Sequence, residues 1–242
     1  MSTYGLHTSA AGALGQSARV DVIAQNLANV STPGYRRDTL SFRAALSGAL
    51  PGAPAVDRVS TDREGGGFEA TGRALDFAVA GPGFFTVQDP NTQTVYYTRA
   101  GNFSLDAAGR LVTADGRFQA LSRDGRPIEL DRSNGGAVRL REDGALLQGD
   151  EEKGQLGIAE LPDGAELRKG GNNLFVLLGA PAAAAENPRV EQGSLERSSV
   201  NPVAEMVEMI KALRALEANL EMVRFQDSIL GRAVNEFGRL AR

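Results

Sequence analysis

The 242-residue chain has no cysteine and one histidine, His7. The first absence excludes disulfides, thiolate nucleophiles and cysteine-ligated metals, and the second leaves no imidazole set for a His-rich metal centre. His7 sits beside Leu6 near the start of a helical segment, so a Ser-His-Asp site would need its base on a frayed terminus. A surface or interface position is the expected place for it. Positive charge is not in excess: 26 Lys and Arg against 30 Asp and Glu give a net charge of -4, which argues against nonspecific nucleic-acid binding. Arg36-Arg37 is a pair, not a basic patch. No apolar run reaches the length of a membrane span, and no membrane insertion is expected. The N-terminus lacks a basic segment followed by an apolar core, so no cleaved signal peptide is expected. Nucleotide motifs are missing too: Gly81-Pro82-Gly83 has no third glycine, Pro82 removes a backbone donor, and there is no Walker A pattern. Asp150-Glu151-Glu152 reads as a solvated acidic turn, and nothing marks any two of the acidic residues as a glycosidase pair. No catalytic residue, metal ligand or cofactor is expected.

What the chain does contain is organised at its ends. With 42% hydrophobic and 23% charged residues it is globular and long enough to bury a sizeable core. Leu6, Ala10, Ala13, Ser17, Val20, Ala24 and Leu27 follow alternating four- and three-residue steps, one face of a helix made of small residues that a partner helix can approach. Asn26 and Asn29 suit a helix end, and Ser31-Thr32-Pro33-Gly34 stops the helix through the fixed proline φ and the freedom of glycine. The pattern alone fits either a helix packed on its own domain or one reserved for another chain.

The C-terminal region carries the longer signal. Met206, Met209, Leu213, Leu216, Leu220, Val223, Asp227, Leu230, Val234, Phe237 and Ala241 alternate by three and four without a break, and Asp227 alone is polar. Asn201 or Ser199 is placed to cap this helix, with Pro202 in its first turn. At ~1.5 Å per residue it reaches on the order of 60 Å, too long to bury its seam against one compact domain. The seam needs another helix, the N-terminal one or a neighbour's. Asp227 reads as a solvent-facing turn or, alternatively, as a polar register-setting position.

Between the ends, from about residue 70 to 180, short runs of β-formers alternate with turn signals. The runs are 75–80, 84–87, 95–98, 103–105, 111–113, 118–121, 138–140, 156–161 and 174–178. Asp115-Gly116, Asp124-Gly125, Asp143-Gly144 and Asp163-Gly164 lie among them and favour hairpins. Residues 48–67, ending in Gly65-Gly66-Gly67, read as a linker, and 179–189 with its four alanines as a second boundary. The expected class is α+β: terminal helices pairing as a coiled-coil-like domain around a central, mainly antiparallel β domain. The divisions are 1–34 for the N-terminal helix, 35–69 for a linker or extended segment, 70–190 for the β-rich domain and 191–242 for the long C-terminal helix.

Four segments in order resemble the bacterial flagellar rod and hook proteins: Asn-Leu-Ala-Asn-Val-Ser-Thr-Pro-Gly-Tyr at 26–35, Arg-Ala-Leu-Asp-Phe-Ala-Val-Ala-Gly-Pro-Gly-Phe-Phe-Thr-Val at 73–87, Tyr-Thr-Arg-Ala-Gly-Asn-Phe at 97–103 with Gly-Arg-Leu-Val at 109–112, and Gln-Gly-Ser-Leu-Glu-Arg-Ser-Ser-Val-Asn-Pro-Val at 192–203. The resemblance implies a structural, non-enzymatic subunit of the basal-body rod. It further implies export without a cleaved signal through the flagellar export apparatus, and assembly with proximal and distal rod proteins and with copies of itself into a hollow, torque-transmitting shaft. Terminal helices that order on incorporation belong to the same expectation. The interface it implies comprises Leu6, Ala10, Ala13, Val20, Leu27, Met206, Met209, Leu213, Leu216, Leu220, Val223, Leu230, Val234 and Phe237. Lack of a long polar insert between Ser47 and Phe68 makes the proximal-rod type the nearer match, with the distal-rod type or another axial protein as alternatives. A coiled-coil adhesin or adaptor with a β head is the more distant reading, and it predicts a discrete oligomer in solution.

Overall fold

The computed structural model describes residues 2–45, 53–62, 64–131, 136–141, 143–162, 166–178, 182–185 and 188–240. The chain divides into two compact units. One comprises residues 1–30, 37–62 and 200–242, the other 31–36 and 63–199. The arrangement is α+β, with a helix at each end of the chain and antiparallel sheets between.

The first unit holds helix α1 (Ser2–Ala28), strands β1 (Asp38–Ala45) and β2 (Ala53–Thr61), and helix α2 (Pro202–Leu240). α1 ends at Ala28, ahead of the Ser-Thr-Pro-Gly sequence. Its last turn tightens as the Asn29 and Val30 amides donate to the Asn26 and Leu27 carbonyls. α2 begins as its residues require. Asn201 Oδ1 accepts from the Val203 and Ala204 amides at 3.1 and 3.2 Å, and Pro202 takes the first helical position, where no donor is needed. β1 and β2 pair antiparallel from Asp38↔Thr61 to Ala45↔Ala53, with a bulge between Ser41 and Phe42. Much of the stretch that reads as a linker is therefore sheet.

The second unit is wholly antiparallel in its named ladders. Its largest sheet runs Glu166–Gly171, Leu174–Leu178, Val95–Thr98, Phe84–Gln88, Gln119–Ala120, Leu111–Thr113, Phe103–Leu105, and Ile158–Glu160 pairs both with Phe84–Gln88 and with Ala183–Ala184. Val138–Leu140, Ala145–Gln148 and Glu151–Gln155 form a three-stranded sheet. Two ladders join distant sequence: Phe77–Ala80 with Arg189–Gln192, and Phe68–Ala70 with Ser194–Glu196. Asp-Gly turns place Gly116, Gly125 and Gly144 at φ 71, 76 and 85°, while Asp163-Gly164 lies outside the described residues. Glu151 and Glu152 are exposed on a strand rather than in a turn.

Inward-facing Phe77, Phe85, Phe103, Leu111, Ile128 and Leu146 fill one core with Val79, Val87 and Leu156. Phe85 meets Phe103 edge-on at 5.3 Å between ring centroids, a geometry that adds to simple burial.

Candidate functional site

Within the first unit, Asn26 shows why an asparagine ends α1. Its Nδ2 donates to the Asp38 carbonyl at 2.8 Å and its Oδ1 accepts from the Asp38 amide at 2.9 Å, so one side chain substitutes for a strand neighbour. Arg37 binds the buried carboxylate of Glu205, whose other oxygen lies 3.5 Å from Asn26 Nδ2. Glu205 is 1% exposed, and a buried carboxylate is tolerated only when it is paired. Replacing it with alanine removes the acceptor that Arg37 and Asn26 share. We expect Glu205→Ala to cost about 1–3 kcal/mol in urea denaturation; no measurable loss would show that these bonds carry little.

The segment Ser31–Arg36 belongs to the second unit and is bound there along its length. The Gly34 amide donates to the Glu196 carbonyl at 2.7 Å, the Ser199 amide to the Tyr35 carbonyl at 3.0 Å, and Asn173 Nδ2 to the Pro33 carbonyl at 2.7 Å. Lys169 Nζ lies 3.8 Å above the buried Tyr35 ring and donates to the Arg36 carbonyl. Gly34 has φ 65°, and a Cβ there would overlap the backbone of Arg99. Gly34→Ala is expected to cost at least about 2 kcal/mol, from the left-handed backbone and the overlap together. A melting curve superimposable on that of the parent protein would refute this.

Two of the resembling segments, and the residue that directly follows a third, meet in one buried ion triad. Arg36 Nη2 lies 2.9 Å from Glu196 Oε1, and Arg99 Nη1 lies 3.1 Å from Glu196 Oε2, with all three side chains only 3–4% exposed. Arg99 also donates to the carbonyls of Val79 and Gly81, and its guanidinium stacks 4.8 Å over Phe84. Burial, aided by the neighbouring Arg36 charge, pulls the Arg99 pKa down to about 10 against the opposing pull of Glu196. The triad is a structural clamp in which one carboxylate serves two guanidiniums from distant parts of the chain.

The helix pair has a seam that apolar periodicity does not reveal. α1 and α2 run antiparallel, with Gly5 against Gln226, Gly12 against Asn219, and Arg19 bonded to Glu208 at 2.6 Å. A Cβ at Gly5 or Gly12 would lie 2.9 Å from Gln226 Nε2 or 3.0 Å from Asn219 Oδ1. The inward positions of α2 are Glu205, Ala212, Asn219 and Gln226, at seven-residue steps, of which Glu205 and Ala212 are fully buried. They lie one residue before Met206, Leu213, Leu220 and Asp227.

The expected interface residues consequently divide. Met209, Leu216, Val223 and Leu230 are half-buried beside the seam, whereas Met206, Leu213, Leu220 and Asp227 are exposed. On α1, Ala13 is buried and Leu6, Ala10, Val20 and Leu27 are half-buried, while Ser17, Ala24 and His7 are exposed. The side chains of Val234 and Phe237, and Ala241 as a whole, lie outside the described residues. Val203 at 70%, Ile210 at 53% and Phe225 at 61% exposure extend the apolar surface, as does Leu14 at 73% on α1. Among the described residues no helix is long and apolar enough to cross a membrane, and no three His, Cys, Asp or Glu residues come together to hold a metal.

Three family models match the chain in order. They describe the flagella basal body rod protein (residues 6–36), the flagellar hook protein FlgE/F/G D1 domain (78–149) and the flagellar basal body rod FlgEFG protein C-terminal region (191–236). The flagellar basal-body rod protein FlgG of Bacillus subtilis is 31% identical over 261 residues, covering 95% of this chain and 97% of the relative. FlgF of Mesorhizobium japonicum is 30% identical over 240 residues, with 96% and 97% covered, and FlgF of Rhizobium meliloti 30% over 243, with 97% and 98% covered. Helix pair, β-rich unit and matches together define a structural protein of the flagellar axis. The chain belongs to the flagellar basal-body rod protein family. As a member it is a structural subunit of the basal-body rod and not an enzyme.

Proposed function

We infer that this chain is a proximal-rod subunit of the FlgF type, which joins other rod proteins and copies of itself through its terminal helices to build a hollow drive shaft. The exposed apolar face of α2 carries this reading. Within the chain, α2 spends its Glu205–Gln226 face on α1 and leaves Met206, Ile210, Leu213 and Leu220 uncovered. A torque-bearing joint needs large apolar contacts, because exposed ion pairs contribute little each. Contacts between unlike faces of identical or related subunits propagate into a helical stack instead of closing as a dimer.

Chain length favours FlgF over FlgG. The alignment with Bacillus FlgG spreads 95% of this chain over 261 positions, whereas that with Mesorhizobium FlgF spreads 96% over 240, so the FlgG alignment carries many more positions that this chain does not fill. Export through the flagellar export apparatus without a cleaved signal belongs to the same proposal.

The absence of native cysteine supplies a clean test. A single cysteine placed by Ile210→Cys is expected to react readily with a maleimide in the free protein and to be protected in isolated basal bodies. Equal labelling in both would remove the α2 face from the interface.

A further inference from the structure

One strand of the second unit has an open edge. Among the described residues Phe68–Ala70 pairs with Ser194–Glu196 alone, and residues 67–74 are all exposed. We propose that the outer edge of Phe68–Ala70 is a strand-addition site, which takes an extended segment of another polypeptide with an apolar side chain beside Phe68.

The register of the ladder fixes which groups the edge offers. The Arg197 amide donates to the Gly67 carbonyl at 2.8 Å, and the Thr71 amide to the Gly193 carbonyl at 2.7 Å. Bonded pairs alternate along an antiparallel ladder, so Glu69 and Leu195 form the bonded pair between these two. The N–H and C=O of Phe68 and Ala70 therefore point away from Ser194–Glu196. None of these four groups has a hydrogen-bond partner among the described residues. Donors and acceptors alternating along an extended backbone are complementary to the backbone of another strand. The usual guards of an edge are sparse: residues 67–71 include no proline and no lysine, and Glu69 is their one charged side chain.

Side chains set the preference. Phe68 is large and apolar, yet 48% exposed. It shares a face with Glu196, its cross-strand partner, and with Pro82 and Leu161 it lines a cavity of about 440 Å³. An added strand sets one of its own side chains beside Phe68 on that face, where aromatic and β-branched neighbours add to the backbone bonds. A second copy of the chain is the poorer occupant, because full overlap of two antiparallel Phe68–Ala70 strands sets Glu69 opposite Glu69. The site goes beyond the rod assignment and does not depend on it.

The test uses the full chain labelled with ¹⁵N and a blocked Thr-Val-Thr-Val-Thr peptide, with amide hydrogen exchange as the readout. The Phe68 and Ala70 amides are expected to exchange rapidly in the free protein and to gain saturable protection as peptide is added. The same peptide with every amide N-methylated cannot donate and should give no protection. Serine in place of both valines should weaken binding, because the side chain beside Phe68 is then polar. Ala70→Pro removes one outward donor and keeps the inner ladder, a change an edge strand accepts. It is expected to weaken binding at least about five-fold, with the circular dichroism spectrum unchanged. No gain in protection, equal binding of the N-methylated or the serine peptide, or undiminished binding by a folded Ala70→Pro protein would overturn the proposal. Protection that rises with protein concentration in the absence of peptide would overturn it in favour of self-pairing. Should Ala70→Pro fail to fold, the peptides compared on the parent protein decide alone.

Discussion

Glu196→Gln is expected to destabilise the β-rich unit by about 3–5 kcal/mol, the range for breaking a buried ion pair while its partners stay in place. The variant leaves Arg36 and Arg99, each almost fully buried, facing a neutral amide in place of the carboxylate they share. An amide keeps the size of the side chain, so the loss reports charge rather than packing. Pairing it with Arg99→Met removes one of the stranded cations, and the double variant should lose less than the two single losses added together. Urea denaturation followed by circular dichroism measures all three. A loss below about 1 kcal/mol for Glu196→Gln, the level of an exposed pair, would show that the triad does not clamp the unit.

The second large effect is functional rather than thermodynamic. Ile210 and Leu213 stand exposed at 53% and 42%, so replacing both with glutamate changes little in the folded subunit, and stability should move by no more than about 0.5 kcal/mol per site. At a subunit joint the same two carboxylates would be buried without partners, at a cost of several kcal/mol per contact repeated along the shaft. Cells carrying Ile210→Glu/Leu213→Glu are expected to make the protein at normal levels and fail to swim. Arg224→Gln, another exposed change on α2, serves as the control and should leave motility intact. Normal swimming by the double variant would place the joint elsewhere.

Particular residues show what was legible in the sequence. The strands Phe103–Leu105, Leu111–Thr113, Val138–Leu140 and Leu174–Leu178 announce themselves as β-formers between turn signals, and the structure has them at those bounds. Glu151–Gln155 does not, because a strand of polar residues and one glycine, none of them fully buried, has no apolar face to write into its sequence. Phe68–Ala70 and Ser194–Glu196 are too short to be read singly and exist because they pair across more than a hundred residues. The length and cap of α2 were readable, but the face turned to α1 was not. Its contacts are glycine against Asn219 and Gln226, which apolar periodicity cannot detect. Glu196 appears inside a resembling segment with no local mark of burial. Its importance comes from Arg36 and Arg99, which only the fold brings to it. Within the stretch 48–67, which reads as a linker or extended segment, Ala53–Thr61 finds its partner in β1, and Gly65 and Gly66 are close-approach positions.

The central claim is that this chain is a length of the rod itself. Cryo-tomography of basal bodies in the native host, with the gene deleted and then restored, tests that most directly. The account predicts rods that stop short when the gene is absent, at the height of a proximal segment, and full rods when the intact gene returns. Full-length rods and normal swimming in the deletion strain would contradict it.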